Sequence, residues 1–489
     1  MSVVSSGPAT VTVPPAEIVP MNDTKSDKMK NDLSAAEVAD PVDVEEGNLK
    51  GTKPGVIVDA VWGEIDEDGP NYRSLGWIKA AVLQVKLQMG LGILGLPAVF
   101  DTMGFVPGIL IILAVFVICT WSDYVLGQFK RRHPEVYTLA DAAYLIFGPV
   151  GREIVAVAYL IQQIATGGAA FLSMTVAFNT ITSHATCSVV WGVVSMCIVA
   201  AMASIQTLGK ISWLGWVGIT SIMAAIITLM AGVGVSDRPS LAPSGDYTLE
   251  VLAVGHPSFV DAINAVCVVI FAYCAGPNFL NIIGEMREQG DYTKSILVSQ
   301  GSVTVIYLIV ASVVYHFVGQ YIASPALGSA GLIFKKVCYG LALPGLAVGG
   351  TLFLHVSAKF IFVRSLRNSR HLSKNTPVHY IVWFSCVAGV CLIAFVIAEA
   401  IPFFNDLLSL IGALFATLMC IQLETYMWLW DNWHMPRTVR WKSLVVMNVV
   451  FHFLGWFCMV AGTYGSVVTI NNKFKSGEFG SSFSCADNS

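Results

Sequence analysis

The chain has 489 residues, 55% of them hydrophobic and only 12% charged, with a mean hydropathy of +0.68. Soluble globular proteins carry about a quarter charged residues, so this is the composition of an integral membrane protein surrounded by a lipid bilayer. Lys and Arg number 28 against 32 Asp and Glu, a net charge of −4 with no long basic block, which excludes nucleic acid as an implied partner.

Residues 1–72 are rich in Ser, Thr, Pro, Asp and Glu and read as a disordered tail. They contain no apolar run, so no secretory signal peptide is expected and the tail stays in the cytosol. Beyond it, stretches of the ~20 apolar residues that a spanning helix needs recur eleven times. They fall near 75–100, 105–129, 153–181, 188–207, 211–235, 259–285, 295–318, 341–363, 379–400, 405–428 and 444–470. With the N-terminus inside, fourteen Lys and Arg fall in cytosolic loops and five outside, the bias that the positive-inside rule requires. The expected organisation is a cytosolic tail at 1–72, a first group of five helices at 73–235 and an extracellular loop at 236–258. A second group of five follows at 259–430, then an eleventh helix with a short extracellular tail at 431–489.

The first span is interrupted at Met89-Gly90-Leu91-Gly92-Ile93-Leu94-Gly95-Leu96-Pro97. Each Gly costs a helix about 1 kcal/mol and Pro about 3 kcal/mol relative to Ala, and in hydrocarbon every freed backbone group needs a partner. An unwound turn at this depth is tolerated where it lines a cavity. The sixth span repeats the anomaly at Phe271-Ala272-Tyr273-Cys274-Ala275-Gly276-Pro277-Asn278, where Pro removes a helical hydrogen bond. Two broken helices five spans apart, in halves of opposite orientation, form the inverted-repeat signature of secondary transporters, with the site between the breaks. The fold class expected is all-α integral membrane, eleven transmembrane helices as a 5+5 inverted repeat plus one extra helix, with helices 1 and 6 broken.

Gly90-x-Gly92-x-x-Gly95 also matches the dinucleotide fingerprint, but no strand precedes it and Asp101 follows too soon for the ribose-binding acid. No G-x-x-x-x-G-K-[ST] motif is present, so energy comes from a gradient. There is no H-E-x-x-H, and the chain is not read as an enzyme. Most of the eleven cysteines stand singly in apolar segments and read as small hydrophobes. No cofactor or metal is implied.

The run Gly90–Pro97, the Phe271-Ala272-Tyr273 stretch with Asn278 and Glu285-Met286, and the eleven spans together resemble the amino acid/auxin permease family. The lead-in from Trp62 to Trp77 resembles its filamentous-fungal, plasma-membrane branch. The resemblance implies a leucine-transporter-like fold and proton-coupled uptake of neutral aliphatic and aromatic L-amino acids. A vacuolar transporter of the same family and a nutrient-sensing receptor using the same pocket are the alternatives.

An amino acid brings a carboxylate, an ammonium and a side chain. Freed N–H groups at a half-helix N-terminus suit the carboxylate; Gly92, Ile93, Leu94 and Gly95 are expected to supply them beside Gly90. Carbonyls around Leu91 and from Tyr273 through Cys274 to Ala275 would receive the ammonium. The glycines alternatively permit close helix packing. Phe271, Tyr273 and Tyr159, with Gln162 one turn on, would form an uncharged wall for side chains, or else pack the core. In the family's fold a span-three tyrosine often contacts the carboxylate.

Lys86 lies too deep for easy snorkelling, so it needs a partner or a function. Sodium-coupled relatives carry an ion-binding Asn four residues before the first break glycine. Lys86 occupies that position here, either as a sodium surrogate or as a tether for span one. His355 is a candidate proton carrier, or a satisfied hydrogen-bonding group. Arg73 and Trp77 precede span one where the fold has a cytosolic latch, or they anchor the interface. Cys187 and Cys338 fall near outer loops and are candidates for a disulfide. Oligomeric state is not legible.

Overall fold

In the computed structural model, the residues described are 57–59, 63–65, 75–205, 214–366, 369, 371, 376–476 and 483–486. Arg73, Lys210, Arg367, Arg370 and Lys374, with most of the expected tail, lie outside them. Within 1–72 the described elements are β1 (Ile57–Asp59) and β2 (Gly63–Ile65), which pair as a ribbon.

The remaining regular elements among the described residues are helical. The first span is α1 (Trp77–Gln88) and α2 (Leu91–Met103), bent by 60° at the break. α3 (Phe105–Arg132), α4 (Leu139–Thr182), α5 (Ser188–Ala203) and α6 (Leu214–Val235) follow. The sixth span is α7 (Phe259–Tyr273) and α8 (Gly276–Glu285). Then come α9 (Tyr292–Val318), α10 (Leu332–Ser365) and α11 (Pro377–Ala400). α12 (Phe404–Ile411) and α13 (Leu423–Asn432) are joined by π-helical turns at Gly412–Ala416 and Leu418–Gln422, and α14 (Val439–Ser476) is last.

Among the described residues nine helices are long and apolar enough to span a membrane, ten if the bent pair counts as one. Eleven is not reached by this measure. The expected fourth span, α5, has 16 residues, and residues 206–213 lie outside those described. The third is longer than its hydropathy predicts. A capping box between Thr138 and Asp141 starts α4 early, and Gly148, at φ 72, turns the chain before Pro149. Gly104, at φ 86, makes the tight turn between α2 and α3, and loop residues Leu252 to Gly255 lie across it.

α2 and α7 pack together, α9 braces α1, α2 and α3, and α10 lies against α4 and α6. α14 stands at the periphery with Val450, Phe453, Phe457 and Val460 exposed, as a lipid-facing helix should be. At the end of the bundle where α1 begins, Leu75 and Met286 form a parallel backbone bridge, Leu75 N–H to Glu285 O at 3.1 Å and Arg287 N–H to Leu75 O at 3.0 Å. Arg132 pairs with Asp431 there at 2.5 Å. At the opposite end Lys473 pairs with Asp406 at 2.7 Å.

Candidate functional site

The first break is shorter and earlier than the glycines and proline suggest. Only Met89 and Gly90 leave the helix, and Gly90 is extended at φ −151, ψ −129. Because α2 starts at Leu91, the N–H groups without helical acceptors are those of Gly90 to Ile93. The expectation that Leu94 and Gly95 offer theirs is corrected, since both fall within the hydrogen-bonded ladder of α2. The Leu91 carbonyl likewise belongs to the first turn of that helix. The glycines divide their work. A methyl on Gly92 would lie 2.5 Å from Ala272 Cα, and one on Gly95 3.0 Å from Val268, so these two permit close packing of α2 on α7. Gly90 has open space where its side chain would be.

The second break is a two-residue turn at Cys274 and Ala275. Cys274 N–H donates to Phe271 O at 3.1 Å and Ala275 N–H to Tyr273 O at 2.9 Å. Pro277 sits in the first turn of α8, where a missing N–H costs nothing, so it starts a helix as well as ending one. The Tyr307 hydroxyl of α9 joins the breaks, reaching Gln88 O at 3.0 Å and Ala272 O at 2.9 Å.

Between the breaks lies a cavity of ≈ 50 Å³, room for a few waters. Gly90, Leu91 and Gly92 face it from the first break, and Phe271, Cys274 and Ala275 from the second. Ile93, Leu94, Gly95, Tyr159 and Tyr273 do not line it. Tyr273 is 1% exposed, bonded to Thr304 at 2.7 Å and edge-on to Tyr307. Tyr159 acts one step back, donating to Asn278 Oδ1 at 2.8 Å. Lining residues not anticipated include Gln88, Gln163, Thr166 and Phe353. Gln88 is 4% exposed with neither amide atom hydrogen-bonded, and Gln162 bonds Cys274 Sγ at 3.1 Å while its Oε1 has no partner. Consecutive glutamines in an apolar span were the signal available for Gln162 and Gln163. Among the described residues, no Asp, Glu, Lys or Arg lines the cavity. A larger recess of ≈ 430 Å³ at Ser258, Asp261 and Lys473 opens at the surface, away from both breaks.

The remaining candidates lie elsewhere. Lys86 points to the start of α6, its Nζ 5.5 Å from the Trp216 ring and against Gly215, outside the cavity lining. His355, fully buried, bonds the Ala203 carbonyl at 3.1 Å through Nδ1 and meets Trp383 edge-on, again outside the lining. Trp77 opens α1 two residues beyond the Leu75–Met286 bridge; Arg73 is outside the described residues. The candidate Cys187–Cys338 disulfide is corrected. Cys187 bonds Cys485, and Cys338 is a buried free thiol of α10. The partner came from the C-terminal tail, which no spacing could assign.

The comparisons agree with this geometry. The sequence model of a family described as "Transmembrane amino acid transporter protein" matches residues 73–468. A "Transmembrane transporter" of Fusarium pseudograminearum is 35% identical over 86% of this chain and 89% of its own. The "N amino acid transport system protein" of Neurospora crassa is 31% identical over 95% and 99%, and "Amino acid transporter AVT1H" of Arabidopsis thaliana 24% identical over 78% and 88%. Among solved structures, the inward-facing conformation of Mhp1 superposes with a TM-score of 0.50 at 14% identity, covering 83% of this chain and 93% of that one. That likeness is one of fold, the leucine-transporter-like arrangement with broken first and sixth helices. With helices, breaks and sequence in agreement, the chain belongs to the transmembrane amino acid transporter family and is a transporter, not an enzyme.

Proposed function

We propose that this protein carries neutral aliphatic and aromatic L-amino acids into the cell together with protons, by alternating access, across the plasma membrane. The observation that carries the reading is the cavity between the breaks, where freed backbone groups, the Gln88 amide and the Gln162 amide oxygen meet an uncharged wall. The N–H groups of Gly90, Leu91 and Gly92, at the positive end of α2, suit a carboxylate. The Cys274 carbonyl, with the amide oxygens, suits an ammonium. Phe271 and Phe353 leave the substrate side chain to be read by shape alone, which favours neutral residues. The Neurospora relative's name supports amino acid transport.

A cavity of ≈ 50 Å³ is too small for leucine, so the conformation described is a contracted one and substrate entry requires the halves of the broken helices to move. The Cys187–Cys485 bond supports a C-terminus on the oxidising, extracellular side. By inverted topology the α1 end, with its ion pairs, then faces the cytosol.

Uptake of radiolabelled leucine, phenylalanine, lysine and glutamate in a permease-deficient host, at several external pH values with and without sodium, tests the reading. Leucine and phenylalanine uptake that rises as external pH falls and ignores sodium is the expected result. Preference for a charged amino acid, sodium dependence, or absent uptake despite surface expression would overturn it. Fluorescent tagging of the same strain separates plasma from vacuolar membrane.

A further inference from the structure

Two carboxylates in the membrane-spanning part of the bundle take no part in the cavity. Asp123 of α3 is 2% exposed and Glu424 of α13 is 0% exposed. Ionisable groups at such depth are costly and need either a counter-charge or a task. Both converge on the second break: a methyl built on Gly276 would lie 2.6 Å from Asp123 Oδ1 and 3.7 Å from Glu424 Oε1. Gly276 opens α8, whose N-terminus has no side-chain cap.

No described Lys, Arg or His forms an ion pair with either carboxylate. Lys130, two turns beyond Asp123, is engaged by the carbonyls of Pro134 and Val136. The titratable groups facing the pair are Cys119 of α3, Cys274 at the break, Tyr292 of α9 and Cys420 on the π-helical turn before α13. None of them supplies a positive charge. His452 of α14 reaches Gln422 O and Thr425 instead.

The surrounding polar atoms are poised and incompletely satisfied. Gln300 Nε2 of α9 donates to Asp123 Oδ2 at 2.5 Å, while its own Oε1 has no partner. Neither oxygen of Glu424 nor the Tyr292 hydroxyl has one among the described residues. Two carboxylates in one dry site without a cation cannot both be ionised cheaply. The Gln300 donor on Asp123, with none on Glu424 among the described residues, favours placing any single negative charge on Asp123 and a proton on Glu424.

We propose that Asp123 and Glu424 form the proton-binding site of transport and that the Gly276 break senses its occupancy. The inference rests on the proton-coupled reading above and names its carrier. A proton from water on one side binds the Glu424 carboxylate and leaves to water on the other, with no further reactant. Loss of that proton places a second negative charge beside Asp123 in a dry site, a cost relieved by drawing the positive N-terminus of α8 onto the pair or by admitting water. Glu424 lies eight residues, about 12 Å, from the α1-side end of α13, a short path for release there.

The test uses the purified full-length chain in proteoliposomes with radiolabelled leucine. Glu424→Gln is expected to lose pH-gradient-driven accumulation by about tenfold or more, within the usual range of coupling between sites. Leucine counterflow at equal pH should persist. Infrared spectroscopy at neutral pH should show a protonated-carboxyl band in the wild type that is absent from Glu424→Gln. Glu424→Asp, which keeps a carboxyl, should recover accumulation. Wild-type accumulation in Glu424→Gln, or an unchanged band, overturns the proposal. So does equal loss of accumulation and counterflow in both variants, which would assign the carboxyl to folding. Wild-type liposomes that exchange leucine but ignore a pH gradient would overturn the proton-coupled reading itself, whereas an unchanged band beside a normal wild-type gradient response removes only this pair.

Discussion

The two breaks occupy equivalent places in the inverted halves and solve the same problem by different chemistry. The first is made mainly by backbone, with the Tyr307 hydroxyl on its Gln88 carbonyl. Gly92 and Gly95 bring α2 against α7, Gly90 stands open, and no side chain caps the second half. The second is held by side chains: Tyr159 grips Asn278, Gln162 touches Cys274, and Asp123 and Glu424 stand against Gly276. A backbone-built break is a surface that a substrate can approach closely. A break held by polar side chains can respond to a charge or a proton. The difference suggests a division of labour, with recognition at helix 1 and coupling at helix 6, and Tyr307 as the shared post.

That contrast can be broken at four points. Gly92→Val places a branched side chain into the Ala272 backbone. It should cost at least the ~1–3 kcal/mol of ordinary overpacking, read as loss of monodisperse protein in fluorescence-detected size exclusion. Gly90→Ala, with nothing within 4 Å of the new methyl, should fold normally and lower leucine uptake. If both glycines tolerate substitution equally, the first break is not a packing seam.

Tyr307→Phe strands the Gln88 and Ala272 carbonyls, and unsatisfied buried groups cost about 1–3 kcal/mol. A lower unfolding midpoint together with reduced uptake is expected. An unchanged midpoint would mean that the hydroxyl does not join the breaks.

Tyr159→Phe removes one bond to Asn278, worth about 1 kcal/mol. It should raise the KM for leucine with little change in yield. A change in yield alone would make Tyr159 structural and weaken the polar account of the second break.

The smallest effect is expected far from both. His133, just past α3, bonds Asp431 at 3.3 Å and faces Glu135 at 3.7 Å. The Asp431 bond first, then the Glu135 bond, push its pKa up from 6.5 to about 9. Because the folded value is raised, this stabilisation is complete below 6.5 and is lost as pH rises through about 9. The unfolding midpoint of the wild type should fall over that window. His133→Gln should flatten the fall without altering the pH dependence of uptake. If uptake changes too, proton sensitivity is not confined to the second break.

The location of the cavity was legible because glycine and proline inside a membrane helix have few tolerable uses. Its lining was only half legible. Gly90, Leu91, Gly92, Phe271, Cys274 and Ala275 line the cavity, but Tyr273 turned inward to Thr304 and Tyr159 stopped at Asn278. Helical phase over two or three residues decides such outcomes, and a break resets the phase. Lys86 and His355 stood out as lone polar residues, yet α6 and the end of α5 took them up. Asp123 and Glu424, acids inside apolar spans, were not singled out from the sequence. Nothing in their separation of 301 positions along the chain announces a common neighbour.

Composition, hydropathy and the positions of glycine and proline by themselves determined that the chain lives in a bilayer and that helices 1 and 6 are broken. Those are local properties, fixed by backbone hydrogen bonding in hydrocarbon. Only the tertiary structure decided which break is built from backbone and which from side chains, that Cys187 finds Cys485, and that two distant carboxylates meet at Gly276. Those depend on which faces of separate helices come together, and that is set by packing across the whole bundle.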